Sequence, residues 1–415
     1  MTIRVQIHGS GMEVGRSCIG VDNDMLLDCG ILMSEELDPA PADFFPRVSN
    51  PRKIHRIFIT HAHLDHSGYL PFIVDSGFQG EVYCVKPTKE LLKVLFIDSL
   101  NLAKGPWSDL DESIVDRVME MTIPVDYGEE IAVPGGTVKF IKSHHILGSA
   151  MVYMEKGGRR VLYTSDFNVG GTRCFKGAKQ EALDHEELKD LDALFLESTY
   201  GDTVRPPRAE RERYLIHATS ESLDQGRRVF LPCFALGRAQ ELQKIYLANR
   251  SQIPFANVHV DGMIREMNRI YARYERFLDS DFPLAFREVH QSVRDQVLND
   301  PHGIVITTSG FCQGGPIRFY LENASPGDTV IFSTSFFPRG TMADRIKTER
   351  AYGETPLNVE EVDLSAHSSF ADSKQFVELI SPRAVYTLHG DPVPEKFLAF
   401  QLGGYPLVND QRLVI

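Results

Sequence analysis

Short apolar runs broken by turn residues dominate the first two hundred positions of this 415-residue chain. Arg4-Val5-Gln6-Ile7 alternates as a half-buried strand does, Ile57-Phe58-Ile59 reads as a buried strand, and 150–165 reads as a hairpin turned at Gly157-Gly158. Leu70-Pro71-Phe72-Ile73-Val74 instead continues with helical spacing. From Arg228 onward the rhythm changes. Val229-Phe230-Leu231, Val258-His259-Val260, Ile304-Val305-Ile306 and Val330-Ile331-Phe332 are apolar without polar alternation, and helical stretches such as 237–248 and 262–278 separate them. That alternation predicts a parallel sheet covered on both faces, a second α/β unit within the chain.

Composition changes this picture little. Apolar residues make up 42% and charged residues 24%, ordinary for a globular protein. No apolar run is long enough to span a bilayer, and the alternating amino terminus does not read as a signal peptide, so no membrane partner is expected. Cys18, Cys29, Cys84, Cys174, Cys233 and Cys312 are scattered singly, which favours unpaired thiols in a reducing cytoplasm. The net charge of −13 argues against a nucleic-acid partner. Two basic series soften that objection: Arg205, Arg208, Arg211 and Arg213, and Arg265, Arg269, Arg273 and Arg276 at the spacing of one helical face. A solvated face serves equally well for the second series, so charge does not decide the substrate.

The chemistry concentrates in Thr60-His61-Ala62-His63-Leu64-Asp65-His66-Ser67-Gly68. Imidazole and carboxylate ligands without cysteine suit zinc. The run follows a buried strand, and open α/β sheets bind ligands at the carboxyl ends of strands. His61 and His63 can share one metal, while Asp65 and His66 fall close enough for a second.

This His-x-His-x-Asp-His pattern resembles the signature of the metallo-β-lactamase superfamily. The resemblance extends along the chain. Asp28 in Leu26-Leu27-Asp28-Cys29-Gly30 is similar to an aspartate that supports the metal ligands from behind, and Asp166 in Thr164-Ser165-Asp166-Phe167 to one that bridges two metals. Two adjacent histidines on a strand would point to opposite faces, so His144 and His145 compete for one ligand position. The Leu147-Gly148 that follows fits the family pattern if His145 is the ligand. Glu197, Gly237-Arg238-Ala239-Gln240-Glu241, Ser309-Gly310, Gly340-Thr341, His367 and His389 then resemble, in order, the motifs of the β-CASP branch.

The resemblance implies an α/β fold: a metallo-β-lactamase αββα sandwich over 1–202 and 357–415, interrupted by a β-CASP α/β domain over 203–356. It implies two Zn²⁺ per chain, held by His61, His63, Asp65, His66, His145, Asp166 and His389, which acidify a water to a pKa of roughly 7. Asp65, His367 and Glu197 are the expected catalytic residues, with His367 as proton donor and Glu197 orienting it. Ser309, Gly310 and Thr341 would meet a substrate phosphate. The implied activity is hydrolysis of single-stranded RNA, internally and in some relatives from the 5′ end, by a cytoplasmic enzyme for which a homodimer is one expected assembly. Where many relatives carry an Arg and a His, this chain has Thr203-Val204-Arg205-Pro206-Pro207, and it reads as a stand-alone catalytic core. A crosslink-repair DNA nuclease, a thiolester hydrolase of the parent fold and an inactive processing subunit are the competing readings. His389, the long insertion and the filled ligand set respectively argue against them.

Overall fold

In a computed structural model, residues 2–32, 44–102, 105–254, 256–335 and 337–415 are described. The chain forms two compact units, one of Met1–Gly171, Phe175–Val204 and His367–Ile415, the other of Thr172–Cys174 and Arg205–Ala366.

The first unit contains two seven-stranded sheets. In one, Arg4–Gly9 pairs antiparallel with both Cys18–Val21 and Arg412–Val414, Met25–Leu27 pairs antiparallel with Cys18–Val21, and Arg56–Ile59, Glu81–Val85 and Thr122–Val125 then follow Met25–Leu27 in parallel. The other is an antiparallel meander from Ile131–Val133 through the expected hairpin, Ala150–Lys156 and Arg159–Tyr163, and three parallel strands extend it: Ala193–Glu197, Val385–Leu388 and Tyr405–Pro406. Phe58 and Phe140, one from each sheet, meet at 6.2 Å. Helices Ala178–Asp184, Phe370–Ile380 and Pro392–Leu402 bury Ala178, Ala182, Phe376, Ile380 and Leu398 against Met151, Leu162, Leu194 and Leu196 of the second sheet. The αββα layering follows from this. The strand-rich reading of this region passed over helix Lys86–Leu102, which buries Leu91, Leu92 and Phe96 at helical spacing.

The second unit is a six-stranded, wholly parallel sheet in the order Arg287–Val289, Asn257–Asp261, Gly303–Thr307, Val229–Pro232, Thr329–Phe332, Asn358–Glu361. Its four central strands are the apolar runs seen in the sequence. The last strand, Asn-Val-Glu-Glu, is an edge with one fully buried position, so no apolar run announces it. It carries the unit on to Ala366, ten residues past the boundary read from sequence.

The basic series are mostly absorbed. Arg205 pairs with Asp363, Arg208 with Glu212 and Glu241, and Arg211 donates to the Asp363 carbonyl. Of the second series, Arg276 lies in a separate 3₁₀ turn beyond helix Ile264–Arg273, so the expected single helical face holds only three of the four arginines. All six cysteines are buried thiols. Among the described residues no helix is long and apolar enough to cross a membrane.

Candidate metal centre

Five strands of the first unit, Met25–Leu27, Arg56–Ile59, Arg159–Tyr163, Ala193–Glu197 and Val385–Leu388, end beside one group of polar side chains. After Ile59 the backbone leaves the strand, bends at Ala62 and His63, and then makes the helical turn Leu64–Ser67. The turn folds His66 over His61, with ring centroids 4.2 Å apart, while His61 and His63 meet edge-on at 4.9 Å. Asp28, His144, Ser165 and His389 all take left-handed backbone conformations around this group. Such conformations are uncommon without glycine and concentrate where function requires them.

Three clusters of potential ligands share Asp166: His61, His63 and His145; Asp65, His66 and His389; Glu197 and His367. Asp166 Oδ2 lies 3.6 Å from both His61 Nε2 and His145 Nε2, and Oδ1 lies 3.2 Å from His66 Nε2. His389 Nε2 is 3.5 Å from Asp65 Oδ2. His61 Nε2, His389 Nε2 and Asp166 Oδ1 are buried without a hydrogen-bond partner. An unsatisfied buried polar atom costs about 1–3 kcal/mol. Three converging on one space are the signature of a cation site, and a nitrogen–oxygen donor set suits a divalent ion.

Charge points the same way. Burial, reinforced by His66, drives His61 well below the ordinary histidine range despite Asp166. Burial alone would raise Asp166, but His66, His389 and His367 hold it well below the usual carboxylate range. Burial would likewise lower His66, yet Asp166, Asp28 and Asp65 raise it well above the ordinary value. Three carboxylates thus favour positive charge at this place, which a bound cation would supply.

Asp28 accepts from Thr60 N at 2.8 Å, Thr60 Oγ1 at 2.9 Å and Tyr163 OH at 3.0 Å, and meets His66 Nδ1 at 2.7 Å. It therefore leaves His66 Nε2 pointing at Asp166. Neither His144 nor His145 lies on a strand, so alternation does not separate them. His144 adopts φ of 62°, which turns its ring away to Glu181 at 2.9 Å, and His145 Nε2 comes to 3.2 Å from His63 Nδ1. His367 Nδ1 meets Glu197 Oε1 at 3.0 Å and its Nε2 faces Asp166 Oδ2 at 3.8 Å. Glu197 is fixed by the N–H groups of Phe167 and Thr199.

Sequence reasoning missed Thr60, Tyr163, Ser165 and Thr199. The Thr199 hydroxyl lies 3.1 Å from His389 Nδ1, and only its place two residues after Glu197 hinted at a role. Ser309, Gly310 and Thr341 belong to the second unit. There Ser309 Oγ bonds Gly314 and Thr341 Oγ1 caps helix Met342–Tyr352, so both hydroxyls hold their own loops.

Residues 20–196 match the model of the metallo-beta-lactamase superfamily, 239–346 that of the Beta-Casp domain, and 355–401 that of the Zn-dependent metallo-hydrolase RNA specificity domain. The transcription termination factor FttA of Methanocaldococcus jannaschii is 31% identical over 94% of this chain and 67% of its own length. The RNase J-like protein of the same organism is 28% identical over 94% and 93%, and its probable RNase MJ4 is 29% identical over 95% of each. A crystal structure of a protein of unknown function from Enterococcus faecalis V583 shares the fold, with a TM-score of 0.69, 16% identity and 100% coverage of both chains.

Proposed function

The chain belongs to the β-CASP branch of the metallo-beta-lactamase superfamily, and from that premise we propose that it is a zinc-dependent ribonuclease cleaving single-stranded RNA. One observation carries the reading: two nests of histidine and carboxylate share Asp166, and a third pair, His367 with Glu197, stands beside them. Two Zn²⁺ would suit the donor set: His61, His63 and His145 would hold one, Asp65, His66 and His389 the other, and Asp166 would serve both groups. When bound, such a pair supplies Lewis acidity at a phosphoryl oxygen and a water acidified to a pKa of roughly 7.

The chain's own residues supply the rest. Asp65, at the partly exposed rim, orients the attacking water. His367 gives a proton from Nε2 to the departing 3′ oxygen, the role of a positioned general acid. Glu197 and the two N–H groups behind it fix which nitrogen of His367 faces the reaction. Asp28 fixes His66 in the same manner. Ser309, Gly310 and Thr341 keep only a secondary place as phosphate contacts. His389 favours RNA over DNA, and the relatives named as ribonucleases support that choice. A reducing, cytoplasmic location accords with six buried thiols. The exposed stripe Val393, Phe397 and Phe400 on helix Pro392–Leu402 supports a homodimer, which analytical ultracentrifugation tests.

Incubating the zinc-loaded protein with RNA labelled at either end tests the activity. Products with 5′-phosphate and 3′-hydroxyl ends are expected. Ends carrying a 2′,3′-cyclic phosphate would mean that the substrate's 2′-OH is the nucleophile and the reading is wrong. Single-stranded DNA cut faster than RNA would transfer the protein to the crosslink-repair class.

A further inference from the structure

The second unit holds an aromatic pair that its core does not explain. Strands Val229–Pro232 and Gly303–Thr307 are parallel neighbours, so the loops after them, 233–237 and 308–316, emerge side by side at the carboxyl ends of the sheet. Open α/β sheets bind ligands at that edge. Phe234 from the first loop and Phe311 from the second meet edge to face, with centroids 5.1 Å apart and planes at 89°. Phe311 packs against the unit's core, whereas Phe234 is 49% exposed.

The arrangement is built rather than loose. Gly310 lies against the first loop: a Cβ there would be in ordinary contact, 3.4 Å from Phe234 N and 3.6 Å from its ring Cδ1. Cys312 N–H donates to the Ser309 carbonyl and Ala343 N–H to the Phe311 carbonyl, fixing the second loop. The Phe234 carbonyl accepts from Ala239 N–H at the start of helix Arg238–Ala248. Arg238 opens that helix, its guanidinium on the Ser333 carbonyl, and Arg339 is exposed on the loop after Thr329–Phe332. Phe234 thus leaves part of its ring open to solvent, at the same carboxyl edge of the sheet from which the segments carrying Arg238 and Arg339 emerge, and cationic side chains suit a phosphate backbone.

We propose that Phe234, braced by Phe311, is a stacking platform for one unpaired base of the RNA substrate. The proposal rests on the ribonuclease reading and adds what the protein selects. Every base offers a π-face, so stacking tolerates sequence. Phenylalanine has no hydrogen-bonding atom with which to read a base edge. A base within a duplex has both faces covered by its neighbours. Phe234 therefore selects for single strands and is indifferent to sequence.

The test measures affinity and cleavage separately on the full-length, zinc-loaded protein. A fluorescent single-stranded RNA is used together with a set of the same RNA carrying one abasic ribose at each position in turn. Phe234→Ala should weaken binding, read by anisotropy, roughly 5- to 100-fold, one base stack's worth, and raise KM with kcat little changed. In the parent, a single abasic position should reproduce that loss, and Phe234→Ala should be insensitive to that position alone. Phe234→Trp should restore both affinity and discrimination, and a melting curve confirms that each variant is folded. Phe234→Ala binding as tightly as the parent, or losing affinity equally with every abasic RNA intact in its effect, overturns the stacking. A parent that binds RNA but never cuts it defeats the ribonuclease reading and leaves the stacking to be judged by anisotropy. A parent that binds no RNA defeats both.

Discussion

The two units treat buried charge in opposite ways. In the second, buried carboxylates are closed by cations: Asp328 by Arg228, Asp261 by Arg294 and the Tyr320 hydroxyl, and Glu212 and Glu241 by Arg208, with the more exposed Arg173 also on Glu212. In the first, Asp166 gathers five histidines and three of the group's atoms still find no protein partner. Buried charges are normally paired, because leaving one unpaired is costly. A closed network is therefore architecture, and an open one is a request for a ligand. The contrast separates the scaffold from the reactive centre without reference to any relative.

Removing the cation should break the contrast most severely. Chelation followed by desalting is expected to abolish cleavage and to lower the melting temperature of the first unit, since an ion that binds only the folded state stabilises it by mass action. Zinc added back should restore both, and elemental analysis should find close to two ions per chain. A desalted protein without zinc that cuts RNA at full rate would sink the metal assignment.

The next effect distinguishes ligand from proton donor. His367→Ala should retain its zinc and its RNA affinity while single-turnover cleavage falls by about 10²–10⁴-fold. His389→Ala should lose metal as well as activity. Equal zinc loss in both variants would make His367 a ligand.

Closed networks should respond in stability rather than chemistry. Asp328→Ala strands Arg228, whose side chain is only 10% exposed, and should cost about 3–5 kcal/mol of unfolding free energy. Below the melting transition, cleavage per folded molecule should stay near that of the parent, as denaturant titration alongside an activity assay would show. The smallest effect belongs to Thr199→Val, which removes the hydroxyl beside His389 Nδ1. Metal affinity should fall roughly 10-fold, the low end for an outer partner of a ligand. No change on zinc titration would assign that hydroxyl to packing alone.

Much of the centre was legible because its core is local: His61 to His66 arrive on one strand end and one helical turn. What sequence could not supply depends on backbone geometry or on partners brought from afar. That His145 and not His144 faces His63 depends on a left-handed φ at His144, not on strand alternation. Tyr163 and Thr60 reach Asp28 from other strands, so neither motif nor spacing marked them. Phe234 stands three residues ahead of the Gly237–Glu241 motif, and its exposure is visible only once the strands are paired. The parallel sheet was readable from its central apolar strands, whereas the edge strand Asn358–Glu361, half polar, carried no comparable signal.

The order in which the chain supplies the centre has a consequence for its biosynthesis. His61, His63, His145 and Asp166 are made early, but His367 and His389 follow the whole second unit. The strand Arg412–Val414 that pairs beside Arg4–Gly9 comes later still. A growing chain therefore lacks His367, the proposed proton donor, and His389 until the second unit has been made. Nascent chains stalled before position 367 should leave RNA uncut, and chains released after the final strand should cut it.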